Sequence, residues 1–188
     1  MDKSIRLMRE GDIPFGMALK STAGWNQTPE DWRRFLSLCP TGCFVTEVGG
    51  RPVGTGTTTP YGDRFGWVGM ILVLPEFRRR GLGTAMLDHV FAFLEESAVA
   101  AVRLDATPVG KKLYDTLDFA DEYELKRVQG VARSVGGQAS ALTAGALDEV
   151  CRFDAVRFGA DRSRMLQLLW NQAPDSSFLS RDSAGAIN

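Results

Sequence analysis

Between an apolar strand ended by Pro75 and a helix reaching about Ser97, the chain carries Arg78-Arg79-Arg80-Gly81-Leu82-Gly83-Thr84. This loop constrains the chain more than any other stretch. Its two glycines let the backbone turn successive N–H groups toward one point. The helix behind it adds a positive dipole end and unpaired N–H groups. Three arginines surround the same place. Together these features select an anion, and a diphosphate fits best. Two common phosphate loops are excluded: there is no Gly-x-x-x-x-Gly-Lys-Ser/Thr run, and a dinucleotide fingerprint would need glycine where Met86 stands.

The elements around the loop predict a mixed α/β fold. Alternation at Ile5 and Leu7 reads as a strand, and Asp12 can cap a helix to about Ala23. Thr28-Pro29-Glu30-Asp31 starts a second helix with Thr at the cap, Pro behind it and an acid three residues on. Cys43–Val48, Pro52–Tyr61 and Phe65–Leu74 read as strands, the first two joined by Gly49-Gly50. After the arginine loop and its helix come a strand over Val99–Thr107, a short helix over Pro108–Leu117 and a strand over Phe119–Gln129. Antiparallel hairpins come first and a crossover later.

Arg78-x-x-Gly81-x-Gly83 resembles the Gln/Arg-x-x-Gly-x-Gly/Ala motif of the GNAT superfamily of N-acetyltransferases. Leu104-Asp105-Ala106-Thr107-Pro108 and Leu113-Tyr114-Asp115-Thr116-Leu117-Asp118-Phe119 resemble that family's later strand and its leucine-tyrosine … leucine-glycine-phenylalanine segment. The resemblance covers about residues 3–130. It implies a partly splayed central sheet flanked by helices, with acetyl-CoA as co-substrate; one histidine and three scattered cysteines lead to the expectation of no metal. Ile71, Leu72 and Val73 would pair with the pantetheine arm. Arg78, Arg79, Arg80, Gly81, Leu82, Gly83 and Thr84 would hold the pyrophosphate. Tyr114 would give a proton to the departing thiolate. Asp118 stands where the family has glycine. Asp is among the better non-glycine residues for left-handed backbone, so local strain is expected there.

The acceptor side is less determined. Trp25 and Asn26, in the break between the first two helices, are candidates to hold a small polar amine. Tyr61 and Trp67 are candidate aromatic walls, Trp67 equally a core residue. A base is open among Glu47, Asp105, Asp63 and an ordered water. Asp105 is preferred, at the end of its strand near Tyr114, and Glu47 is kept as a substrate contact. The one histidine, His89, reads as structural. The acceptor would be the primary amine of a small molecule, or a protein amine. Two other readings stay open: a non-catalytic acyl-CoA-binding sensor, and an acyltransferase using another acyl group.

Composition narrows the setting. The chain has 22 Lys+Arg against 23 Asp+Glu, three cysteines and one histidine. Balanced charge argues against a general nucleic-acid binder, and no apolar run suits a membrane span. An odd cysteine count and the lack of an apolar leader point to a reducing cytoplasm, with Cys39 and Cys43 a reduced pair.

At about 150 residues per domain, 188 residues leave a remainder. The expected division is a catalytic domain over 1–130, a linker over 131–147 and a further segment over 148–188. An offset of 134 aligns Gly11 with Gly145, Pro40 with Pro174 and Phe44 with Phe178. Helix–helix–Pro–Phe recurs in both places. Residues 139–188 therefore read as the opening β-α-α-β of a second, incomplete copy, which resembles two-domain members of the family. Leu166, Leu168, Leu169, Trp170, Phe178 and Leu179 need cover, by the first domain or by a partner in a homodimer.

Overall fold

The computed structural model describes residues 2–126, 128, 130–131 and 139–188. Five strands form one sheet in the order β1 (Lys3–Leu7), β2 (Cys43–Val48), β3 (Arg51–Tyr61), β4 (Phe65–Val73) and β5 (Val102–Leu104). β1 to β4 run antiparallel, and β5 joins β4 in parallel. Helices α1 (Ile13–Thr22) and α2 (Pro29–Leu38) cover one face. There Ile13, Leu19 and Trp32 pack with Val45, Met70 and Leu72. Helix α3 (Leu82–Glu96) covers the other, burying Met86, Leu87, Val90 and Leu94 against Phe44 and Val68. The opposite faces of Phe44 and Val45 follow from the two-residue period of a strand.

Local chemistry fixes the helix starts. At α2, the Thr28 hydroxyl accepts from the Asp31 N–H at 3.4 Å, and Asp31 Oδ2 accepts from the Thr28 N–H at 2.7 Å. The capping box expected from sequence is present. A short helix α4 (Pro108–Tyr114) follows β5, capped by Thr107, whose hydroxyl accepts from the Gly110 N–H. A 3-10 turn over Asp115–Leu117 extends it to Asp118, which is left-handed at φ 59°.

Two strand expectations need correction. The fifth strand is three residues long, not nine. Residues 119–126 form no strand; 127 and 129 of that expectation lie outside the described residues. The segment is tied down by side chains instead, with Lys111 on Asp121 at 2.6 Å and Arg103 on Glu122 at 3.0 Å. Of its apolar residues Phe119 packs against Phe91 and Tyr114, whereas Tyr123 and Leu125 are 66% and 63% exposed.

The tail opens with a strand, as the β-α-α-β pattern over 139–188 leads one to expect. Strand β6 (Ser140–Ala141) and the first turn of α5 (Ala144–Phe158) fall within the expected linker. Helix α6 (Ser163–Gln172) and strand β7 (Phe178–Leu179) follow. This unit repeats β1-α1-α2-β2 in register. Leu7 pairs with Phe44, and 134 residues on Ala141 pairs with Phe178. The Met8 N–H donates to the Cys43 carbonyl, and the Leu142 N–H to the Ser177 carbonyl, both at 2.8 Å. Residues 29–38 of α2 map onto 163–172 of α6 without a shift.

The repeat packs on the first unit. Phe158 inserts among Tyr61, Phe65 and Trp67, with ring centroids at 5.0, 5.2 and 5.9 Å. Arg34 of α2 meets Gln172 of α6, and Arg164 donates to the Ser37 carbonyl. Leu179 is buried, while Leu169 and Phe178 are 41% and 64% exposed. Phe178 occupies the register position of Phe44, whose face α3 covers in the first unit. No helix of the described residues is long and apolar enough to cross a membrane.

Candidate functional site

The loop after β4 owes its shape to two left-handed residues. Arg79 has φ 57° and Gly81 has φ 74°, with Arg80 between them. Such a sequence of turns points neighbouring N–H groups into one concavity. Gly81 is the N-cap of the 15-residue α3, and its carbonyl accepts the Ala85 N–H at 3.0 Å. The first N–H groups of the helix have no acceptor within it. Among the sequence-predicted loop residues, Arg78, Arg79, Arg80, Gly81 and Thr84 are exposed. Leu82 is different: its side chain is 3% exposed and packs with Val48 and Val53, leaving only its backbone for a ligand. No carboxylate lies within 78–84. A site rich in N–H donors and cations, with no competing acid inside it, fits a diphosphate.

Beside the loop, the second half of β4 has no strand partner on its β5 side among the described residues. The β4–β5 ladder covers only Gly66–Val102, Trp67–Arg103 and Val68–Leu104. Beyond it the register against β3 shifts, so Gly56 faces both Met70 and Ile71. Met70 takes φ 53°, and its displaced carbonyl accepts the buried Thr55 hydroxyl at 2.8 Å. This bulge bends the strand. The Leu74 N–H donates to Val53 of β3, so by alternation Ile71 and Val73 turn their backbone groups to the open side. Arg78 Nε donates to the Val73 carbonyl there at 3.0 Å, joining loop and strand.

Tyr114 ends α4. Its half-buried ring packs with the cluster that holds Ile71, Met86 and Val90, edge-on to Phe119 at 5.8 Å. Burial pushes its hydroxyl pKa above the ordinary tyrosine value. The neighbouring Leu113 lies 3.9 Å from where a Cβ on Gly83 would be, so α4 abuts the start of α3. Tyr114 and Asp105 line one cleft of about 840 Å³, with Trp67, Arg103, Lys111 and Phe119. The arginine loop does not line that cleft.

The other candidates divide. Trp25 packs on the α1–α2 cluster containing Met70 and Leu72, under the bulged half of β4. Asn26 next to it is exposed. Glu47 accepts from Arg6 Nε at 2.8 Å, and Arg6 also pairs with Asp12 at 2.7 Å. Tyr61 sits at the opposite end of the β3–β4 hairpin from Val73, 9% exposed and against Phe158. Burial raises its hydroxyl pKa as well. His89 is exposed and rests edge-on against Phe44 at 4.6 Å. Cys39 and Cys43 are buried free thiols, and burial pushes Cys43 up to about 12. Sequence reasoning missed Met70, whose residue type carries no signal for positive φ. It also missed Phe77, directly before the loop, and Arg51, which the β2–β3 turn brings to Phe77 from a distant stretch of chain.

A family model, acetyltransferase (GNAT) family, matches residues 15–119. The chain belongs to that family. No curated protein sequence matches it. Among solved structures, a candidate acetyltransferase from Pyrococcus horikoshii is 25% identical with a TM-score of 0.73, over 90% of this chain and 62% of its own. This chain therefore spans under two thirds of that protein's length. Ard1 from Thermoplasma volcanium is 22% identical, TM-score 0.60, over 64% of this chain and 84% of its own. Glucosamine-6-phosphate N-acetyltransferase from Arabidopsis thaliana is 18% identical, TM-score 0.57, over 69% and 99%. The last two likenesses show the fold alone.

Proposed function

We propose that the protein transfers the acetyl group of acetyl-CoA to a primary amine of a small molecule, with the site in residues 1–130. One observation carries this reading: a doubly left-handed arginine–glycine loop opens a long helix beside a strand edge that the sheet leaves unpaired. The solved Clostridium acetobutylicum relative contains acetyl-CoA, and the solved AAC(6')-Iy contains a CoA-based bisubstrate analogue. Acetyl-CoA supplies an activated acyl group as a thioester. The chain's own residues then have distinct tasks. The N–H groups of 79–84 hold the diphosphate, helped by the helix dipole. Ile71 and Val73 pair with the pantetheine arm, and the Val73 N–H is the donor for the thioester oxygen. Tyr114 holds a proton on Oη for the departing sulfur, and its raised pKa keeps that proton in place at neutral pH. Asp105 is the candidate to take the proton from the amine. Trp25 and Asn26 contact the acceptor from the α1–α2 turn. The test is thiol release from acetyl-CoA over a panel of amines. Turnover on at least one amine is expected. Binding of acetyl-CoA without turnover on any would mark a non-catalytic sensor.

A further inference from the structure

We propose that Arg51 and Arg80, gathered on the ring of Phe77, bind the 3′-phosphate of the donor's nucleotide, so that the protein distinguishes complete CoA from CoA lacking that phosphate. The proposal rests on the acyl-CoA reading above. The guanidinium carbons of Arg51 and Arg80 lie 5.4 and 5.1 Å from the Phe77 ring centroid. Phe77 is half-buried and packs with Val48, Val53 and Leu82, so it is a fixed post. Cation–π attraction sets both arginines on it. Arg51 comes from the far side of the Gly49-Gly50 turn and is no part of the diphosphate loop.

Charge shows why a second phosphate belongs here. Lys3, Arg51, Arg78, Arg79 and Arg80 place five cations around the loop, Lys3 by donating to the Arg80 carbonyl at 3.2 Å. Glu76, 3.2 Å from Arg51, offsets one. A bridging diphosphate brings two negative charges, and backbone N–H groups already serve it. A phosphate monoester adds about −1.5 to −2 more at neutral pH. That balances the remaining cations. Two guanidinium groups held by one ring offer planar, charged donors that match a phosphate's oxygens.

The test is calorimetric titration, without amine, of acetyl-CoA and of 3′-dephospho-acetyl-CoA into the full chain and into Arg51→Gln. Arg51 is exposed, so the substitution leaves the core intact. The full chain should bind acetyl-CoA roughly tenfold to a hundredfold more tightly than the dephospho form, the range for charge-assisted contacts. Arg51→Gln should lose most of that preference while its affinity for the dephospho form stays within about twofold. Equal affinities of the full chain for both donors would overturn the proposal and leave the acyl-CoA site standing. So would an equal loss of both donors in Arg51→Gln. Absence of binding by either donor would overturn the acyl-CoA reading, and this proposal with it.

Discussion

Gly83→Ala separates the demands of folding from those of a ligand. Gly83 lies in the first turn of α3 and, unlike Gly81, has no positive φ. A Cβ there would meet only Leu113 Cδ2, at 3.9 Å, an ordinary van der Waals contact. The fold thus gives no reason for a glycine at this position. A helical glycine costs about 0.5–1 kcal/mol relative to alanine, somewhat less near a helix end. Alanine should therefore stabilise the free protein by about 0.5 kcal/mol, or roughly 1–2 °C in Tm for a chain of this size. If the glycine instead admits a diphosphate close to the backbone, alanine should weaken acetyl-CoA binding by about tenfold or more. Thermal unfolding without ligand and calorimetric titration with acetyl-CoA measure the two effects separately. A higher Tm with weaker binding is expected. A higher Tm with unchanged binding would refute the reasoning about ligand approach, and a lower Tm would refute the reasoning about packing.

Tyr114→Phe should slow turnover by about 100- to 10,000-fold with acetyl-CoA affinity preserved. In the parent protein the alkaline limb of the rate should lie above the ordinary tyrosine value of about 10, because burial raises Tyr114; an alkaline limb near pH 8 would point to another acid. Phe158→Ala should lower stability by about 2–4 kcal/mol in urea unfolding, because three rings lose their partner. An unchanged midpoint would mean the repeat does not brace the first unit. The Arg6 hydrogen bond holds Asp12 below the ordinary carboxylate range. Its stabilisation is present above about pH 4 and lost as pH falls through the lower folded value. Asp12→Asn should cost about 1–2 kcal/mol at pH 7 and flatten that acid dependence in denaturant titrations at several pH values.

Much of the fold can be read from local chemistry. The capping box at Thr28–Asp31, the Gly49-Gly50 turn and the alternation of Phe44 and Val45 each leave a mark within a few residues. Asp118 does so too, since a short polar side chain tolerates the left-handed turn found there. Other features depend on partners distant in sequence. The bulge at Met70 is set by the Thr55 hydroxyl and by register, and nothing in the methionine announces it. The alternation in 119–125 looks like a strand, but a strand also needs a ladder, and the ion pairs of Asp121 and Glu122 hold the segment elsewhere. Tyr61 reads as a candidate aromatic wall until Phe158, nearly 100 residues later, is seen against it. The repeat is faint as identity and clear as register, because hydrogen-bond pairing constrains backbone positions more tightly than side-chain types.

The central claim is that backbone N–H groups of the loop after β4 hold the donor. Amide chemical shifts followed during titration with acetyl-CoA address it directly. The amides of Arg79 to Thr84, Ile71 and Val73 should move together and saturate at one equivalent, while those of Phe178 and Leu179 stay in place. Saturating shifts confined to residues 119–125 around the Tyr114 cleft, with the loop amides unmoved, would contradict it.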